Sequence, residues 1–168
     1  MTTTTLTRRA TKLPELRAEI DAIDDEILAL IARRVALAAP VRAIKPQGRH
    51  PFRPAREEAL LARLSKEALV PVALIERVWR GLIGAGLFAQ GLTEVVVEDA
   101  ALAPAAAARF GGQVPVRVGD ARAAAALGAT VGAVAFVGDL PDGVRVLAPL
   151  DAEDGTALGW IIGREDEA

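Results

Sequence analysis

The chain has 168 residues, 52% of them hydrophobic and 25% charged, with a formal net charge of −2, so it can build a core and is not disordered by composition. It contains no cysteine and one histidine, which excludes disulfides, thiolate nucleophiles, zinc fingers, iron–sulfur clusters and multi-histidine metal centres. Aromatic residues make up 4% and tyrosine is missing, which argues against a stacking platform for single-stranded nucleic acid.

Residues 1–12 are polar and basic without an apolar run and read as a disordered tail rather than a secretory signal. The longest uncharged stretch, Ala123–Gly138, has 16 residues, short of the roughly 20 that a spanning helix needs. The expectation is a cytoplasmic protein with no membrane partner. Charge is unevenly placed: residues 1–92 carry 15 Lys+Arg against 10 Asp+Glu, and residues 93–168 carry 5 against 12. A basic first half and an acidic second half point to two regions with different jobs.

Residues 13–92 read as helix almost throughout. Leu16, Ile20, Ile23, Ile27 and Leu30 recur at alternating steps of four and three, one apolar stripe on a long helix. Pro14 suits a first helical position, and Lys45-Pro46-Gln47-Gly48 supplies a stop. An unbroken helix over this span is about 50 Å long, longer than so small a domain is wide, so its stripe needs long partners that a second chain can supply. Pro40 inside it predicts a kink one turn earlier. A second helix starts at Pro54, and a third runs from near Pro71 to Gln90 or Leu92 with the stripe Ile75, Trp79, Leu82, Ile83 and Gly86. After Leu92 the period changes. Glu94–Glu98 reads as a strand, Pro104–Phe110 as a helix stopped by Gly111-Gly112, and Pro115–Val118 as a strand. A helix then runs from 119–120 through Leu127, and Val131–Val137, Val144–Leu147 and Leu158–Ile162 read as strands. Strands alternating with helices predict a small α/β domain. The fold class expected is therefore α+β overall: a tail over 1–12, an all-α domain over 13–92 and an α/β domain over 93–168.

Polar residues interrupt the apolar stripes. Arg34 extends the first stripe from Leu30 by four, where a guanidinium costs several kcal/mol unless paired; it serves either an ion pair, for instance with Asp24, or a ligand. Gln90 extends the third stripe from Gly86 by four and either caps the helix end or faces a pocket. Lys45 follows Arg34 by three helical turns. Alone it reads as a lysine complementing the helix dipole; with Arg34 and Gln90 it suggests a polar pocket inside a bundle. Arg56-Glu57 opens the second helix, where an acid favours the dipole and Glu58 is the more ordinary first-turn acid. His50, in a basic loop, is expected to be exposed.

In order, Leu16-Arg17-Ala18-Glu19-Ile20-Asp21-Ala22-Ile23-Asp24, Arg34, Lys45, Arg53-Pro54-Ala55-Arg56-Glu57-Glu58 and Gln90 form a pattern that resembles the all-helical chorismate mutase family over residues 13–92. The resemblance implies an intertwined homodimer of three-helix chains that converts chorismate to prephenate with neither cofactor nor metal. It implies that Arg34 binds one substrate carboxylate, and Arg17 of the other subunit the second. Lys45 and Gln90 would hydrogen-bond the ether oxygen of the breaking bond. Glu57 would contact the ring hydroxyl, with Arg56 supporting the same side. Helix geometry agrees with a shared site: Arg17 and Arg34 lie about 26 Å apart along a straight helix and about 100° apart around it, so one small ligand meets both only with help from a second chain. The sequence departs from the family pattern in three places. Pro40 falls between Arg34 and Lys45, Gly86 stands where some members carry a small hydroxyl residue, and Arg53 where some carry an acid.

Residues 93–168 lie outside the pattern and are too few for a prephenate dehydratase or dehydrogenase domain. They contain no G-x-G-x-x-G string, and Ala108-Arg109-Phe110 is their nearest approach to the Thr-Arg-Phe of dehydratases. A structural or dimer-packing module is the simpler expectation. Two further readings stay open on the same scaffold: an isochorismate-pyruvate lyase, and a non-catalytic dimeric regulator. Nucleic acid is not an expected partner, because the cations are dispersed along the helices.

Overall fold

The computed structural model describes residues 13–44, 50–67 and 69–164. The expected tail 1–12, and the stop at 45–48 with Lys45, lie outside the described residues. The chain divides into two compact units, Met1–Arg34 and Val35–Ala168.

The first unit contains helix α1 (Leu13–Ala36) up to Arg34. Twenty-four residues at 1.5 Å each make it about 36 Å long. No described residue of α1 is buried, and the stripe Leu16, Ile20, Ile23, Ile27 and Leu30 is 42% to 63% exposed.

The kink expected before Pro40 is instead a break. The chain leaves the helix at Leu37-Ala38 and starts again as α2 (Ala39–Ile44). The Ala38 N–H donates to the Val35 carbonyl (3.0 Å) and the Val41 N–H to the Ala38 carbonyl (3.2 Å). The physical reason is position: as the second residue of α2, Pro40 occupies a first turn, where a missing N–H leaves no hydrogen bond unmade.

Helix α3 (Pro54–Glu67) starts at its proline and α4 (Val72–Ala89) follows Pro71. The two are neighbours. The end of α4 is a Schellman turn. Gly91 takes φ +98°, its N–H donates to the Phe88 carbonyl, and the Leu92 N–H reaches back to Leu87. The buried Leu87 and Leu92 close the motif.

Five strands follow: β1 (Glu94–Val97), β2 (Val116–Val118), β3 (Thr130–Val134), β4 (Val144–Asp151) and β5 (Ala157–Arg164). A 3-10 turn (Ala100–Leu102) and α5 (Ala103–Arg109) link the first two, and α6 (Ala121–Ala125) leads into β3. The sheet order is β2-β1-β3-β5-β4, with β1 parallel to β2 and β3, and β5 antiparallel to β3 and β4. Val95, Val96 and Val97 are all buried, as a parallel strand covered on both faces requires. Val95 and Val97 join Phe52, Ile83, Leu87 and Phe110 in one core; Val96 joins Ala121, Ala125 and Ile162 in a second, on the opposite face. At about 1.5–3 kcal/mol per buried valine, β1 anchors the unit. Close approach of α6 is bought with small residues: a Cβ on Gly132 would lie 2.3 Å from the Ala121 carbonyl oxygen.

The architecture is thus α+β overall, helices first and a sheet with its helices after. Packing joins α3 and α4 to that sheet within the second unit. A second expectation is overturned. His50 is buried, 3% exposed, with Pro51 and Phe52; its ring is 6.4 Å from that of Phe52, and Gly163 lies against its edge. The segment is drawn in because Phe52 completes the core.

Candidate functional site

Arg17 is exposed on α1. Arg34, near the end of α1, is half-buried, and burial holds its guanidinium pKa below the usual range. Lys45 lies outside the described residues. Arg56 is exposed on α3. Gln90 is the C-cap of α4, and its Nε2 donates to the carbonyl of Gly86, 3.0 Å away in its own helix.

Glu57 is the candidate around which side chains gather. It is 6% exposed in the first turn of α3. Its Oε2 accepts from Arg109 Nη1 of α5 at 2.7 Å and from Arg80 Nη1 of α4 at 3.3 Å. Its Oε1 is closed to solvent and accepts no hydrogen bond among the described residues. The Arg109 guanidinium lies 4.9 Å from the Phe52 ring centre and 5.9 Å from that of Phe110, within cation–π range.

Electrostatics and burial oppose each other here. Burial pushes the Glu57 carboxyl above its ordinary value, and the neighbouring Arg109 and Arg80 pull it down without cancelling the effect. Arg80 is lowered by burial first, then by the like charge of Arg109, against the opposing pull of Glu57 and Glu76. A carboxylate that has lost its water needs more than two guanidiniums on one oxygen to recover the lost hydration.

Beside the cluster an open groove of about 880 Å³ is lined by Arg77, Arg80 and Arg109 and by Glu58, Glu76, Asp151 and Glu153. Its mixed charge does not suit a dianion, and Glu57 is not part of its wall.

In the sequence Arg109 stands out only in the string Ala108-Arg109-Phe110, and Arg80 not at all. Arg80 follows Glu76 by four residues, an ordinary surface pairing on a helix. Arg109 is the lone charge ending an alanine run, which marks it as unusual without showing what it meets.

These features define a protein of two parts: a long helix with an uncovered apolar stripe, and an α-helical hairpin fastened to a small α/β sheet by a buried carboxylate between two guanidiniums. Residues 16–90 match the family model of chorismate mutase type II. That segment, just under half of the chain, is similar to that family, and residues beyond it are unmatched. No curated protein and no solved structure matches the chain. At the level of the family, the match supports a chorismate mutase-type function. Among the described residues no helix is long and apolar enough to cross a membrane.

Proposed function

We propose that the protein is a chorismate mutase: a cytoplasmic homodimer that converts chorismate to prephenate in phenylalanine and tyrosine biosynthesis. The observation that carries this reading is the family match over residues 16–90, which spans Arg17, Arg34, Lys45, Arg56, Glu57 and Gln90. The rearrangement is unimolecular and pericyclic. It needs no nucleophile and no obligatory proton transfer. The protein has to hold a dianion in a compact conformer and stabilise negative charge growing on the ether oxygen. Arg34, and Arg17 of the second subunit, supply bidentate carboxylate recognition. Lys45 supplies a point charge at the ether oxygen, and the Gln90 amide, once released from Gly86, a second donor. Glu57 Oε1 is an acceptor for the ring hydroxyl. Because it is closed to solvent, substrate reaches it only after the covering side chains move.

The uncovered stripe of α1 supports the dimer. Its five large side chains are half exposed, so covering what remains of each is worth about half of the 1.5–3 kcal/mol of full burial, roughly 1 kcal/mol. Leu74, Val78 and Phe88 give α4 an exposed apolar face as well.

The test is loss of chorismate absorbance with formation of prephenate on adding pure protein, alongside sedimentation for the dimer. A parallel incubation with isochorismate, read as salicylate and pyruvate, identifies the lyase instead. The engagement of Gln90 with its own helix and of Glu57 with two arginines favours, as a second reading, a dimer that binds chorismate without turnover. Binding seen by calorimetry with no prephenate formed would select it.

A further inference from the structure

We infer that Arg109, carried by the α/β segment outside the family match, is a positioning residue for Glu57, so that the sheet domain is a working part of the mutase site. The inference rests on the reading of the protein as a mutase in which Glu57 meets substrate.

Three observations support it. The first is reach. Glu57 lies in the matched segment and Arg109 lies 52 residues further along, yet theirs is the shorter of the two bonds on Glu57 Oε2. It fixes one carboxylate oxygen and leaves Oε1 with no hydrogen bond among the described residues.

The second is that Arg109 is itself held. Its side chain is 11% exposed, and its guanidinium lies over Phe52 and Phe110. Phe52 lies two residues before Pro54, where α3 starts. The same guanidinium thus touches the entry to α3 and the acid in its first turn.

The third is the absence of slack between the backbones. A Cβ on Gly84 of α4 would lie 2.0 Å from the Phe110 carbonyl oxygen, and one on Gly111 would lie 2.2 Å from that of Arg80. Gly111 takes φ +62°, a conformation that suits glycine. The residue after Arg109 and the one beyond it therefore abut α4 directly. A displacement of α5 moves Arg109 and Arg80 against Glu57 together.

The charged groups facing Glu57 are Arg109 from α5, Arg80 from α4 and Glu58 from α3. Loss of Arg109 removes the nearest cation from a carboxylate that burial already holds above its ordinary pKa.

The experiment compares wild type, Arg109→Met, Arg109→Lys, Glu57→Gln and the double variant Arg109→Met/Glu57→Gln in the full chain, following chorismate loss against pH. Met keeps the apolar stem over the two phenylalanines without charge or donors. Arg109→Met is expected to lower kcat/KM by roughly 10- to 100-fold, the cost of a slightly misplaced group, and to move the acid limb of the profile to higher pH. Arg109→Lys is expected to recover part of both effects. In the Glu57→Gln background, Arg109→Met should cost little further. Arg117→Ala, which removes an exposed pair with Glu94 on the sheet, is the control expected to match wild type. A merely structural role would lower the active fraction and leave the acid limb in place. If wild type turns over chorismate and folded Arg109→Met shares its rate and its acid limb, the positioning role falls and the mutase reading stands. If wild type converts no chorismate, both fall.

Discussion

Two alanine substitutions three residues apart on α4 should change stability in opposite directions. Gly81 and Gly84 are both helix-interior glycines, and each Gly→Ala change gains about 1 kcal/mol of helix propensity. At Gly81 the nearest atom to a new Cβ is the Gly111 carbonyl oxygen at 4.0 Å, an ordinary contact. The gain stands, and Tm should rise by about 2–4 °C for a chain of this size. At Gly84 the new Cβ would sit 2.0 Å from the Phe110 carbonyl oxygen and 3.3 Å from the Gln113 Cβ. The first of these is backbone, which cannot swing aside as a side-chain tip can. Overpacking costs about 1–3 kcal/mol, and so hard a clash belongs at the upper end. After the propensity gain, the net loss is about 1–2 kcal/mol, a fall in Tm of roughly 2–8 °C. Thermal and urea unfolding at one fixed protein concentration measure both, the fixed concentration removing the effect of dimerisation on Tm. A Gly84→Ala variant as stable as Gly81→Ala would show that α4 does not rest on the turn after α5, and would remove the third support for the role given to Arg109.

Four further outcomes are expected. Lys45→Ala should lower turnover by orders of magnitude and leave the dimer intact by sedimentation; near-native turnover would remove Lys45 from the ether oxygen. Arg17→Ala and Arg34→Ala, each inactive alone, should regain activity when mixed, because a heterodimer contains one whole site; heterodimers shown to form without activity would refute the shared site. Ile23→Asp, a charge in the middle of the exposed α1 stripe, should give a monomer whose sheet signal in circular dichroism persists, since the core of residues 35–168 does not include that stripe. Glu57 gives a pH signature. Its folded pKa is raised above 4.5, so between 4.5 and the folded value the native state holds a proton that the unfolded chain has released. Stability therefore falls as pH rises through that window and is level above it. Glu57→Gln abolishes this titration, so the stability of the variant relative to wild type should improve with pH from 4.5 upward; a flat or opposite difference would refute the dominance of burial.

What the sequence disclosed was local periodicity, and what it concealed was which distant groups meet. The run Glu94-Val95-Val96-Val97 announced a strand, though not its burial on both faces, and Gly111-Gly112 marked the end of α5, because glycine is needed where φ is positive. The stripe on α1 was equally plain. Pro40 signalled a disturbance, yet whether a proline bends a helix or opens a new one depends on the turn before it, here Leu37-Ala38. The burial of His50 was not legible, because a polar, basic loop conceals that one phenylalanine can draw its neighbours into a core. The strands β4 and β5 extend to eight residues each, beyond the apolar runs that revealed them. β4 lies at the sheet edge, where Pro149 and exposed polar ends are tolerated. Of the candidate site, Glu57 was legible as a helix-start acid, but its partners lie 23 and 52 residues away, and no period reaches that far.

The boundary of the family match and the boundary of packing do not coincide, and this bears on what the sheet is for. The match ends at residue 90, whereas the core containing Phe52, Ile83 and Leu87 continues through Val95, Val97 and Phe110. Those first three side chains are almost fully buried, and without the sheet each would forfeit part of a cover worth about 1.5–3 kcal/mol in full. Glu57 would lose Arg109 in the same step. Breaking a buried pair costs about 3–5 kcal/mol because the remaining charge is stranded, unless water floods the site and changes its chemistry. A helical hairpin that relies on the sheet for both its apolar cover and the partner of its buried acid is not independent of it. The α/β segment is therefore part of the scaffold that sets α3 against α4, a role that an appended module joined by a linker could not fill.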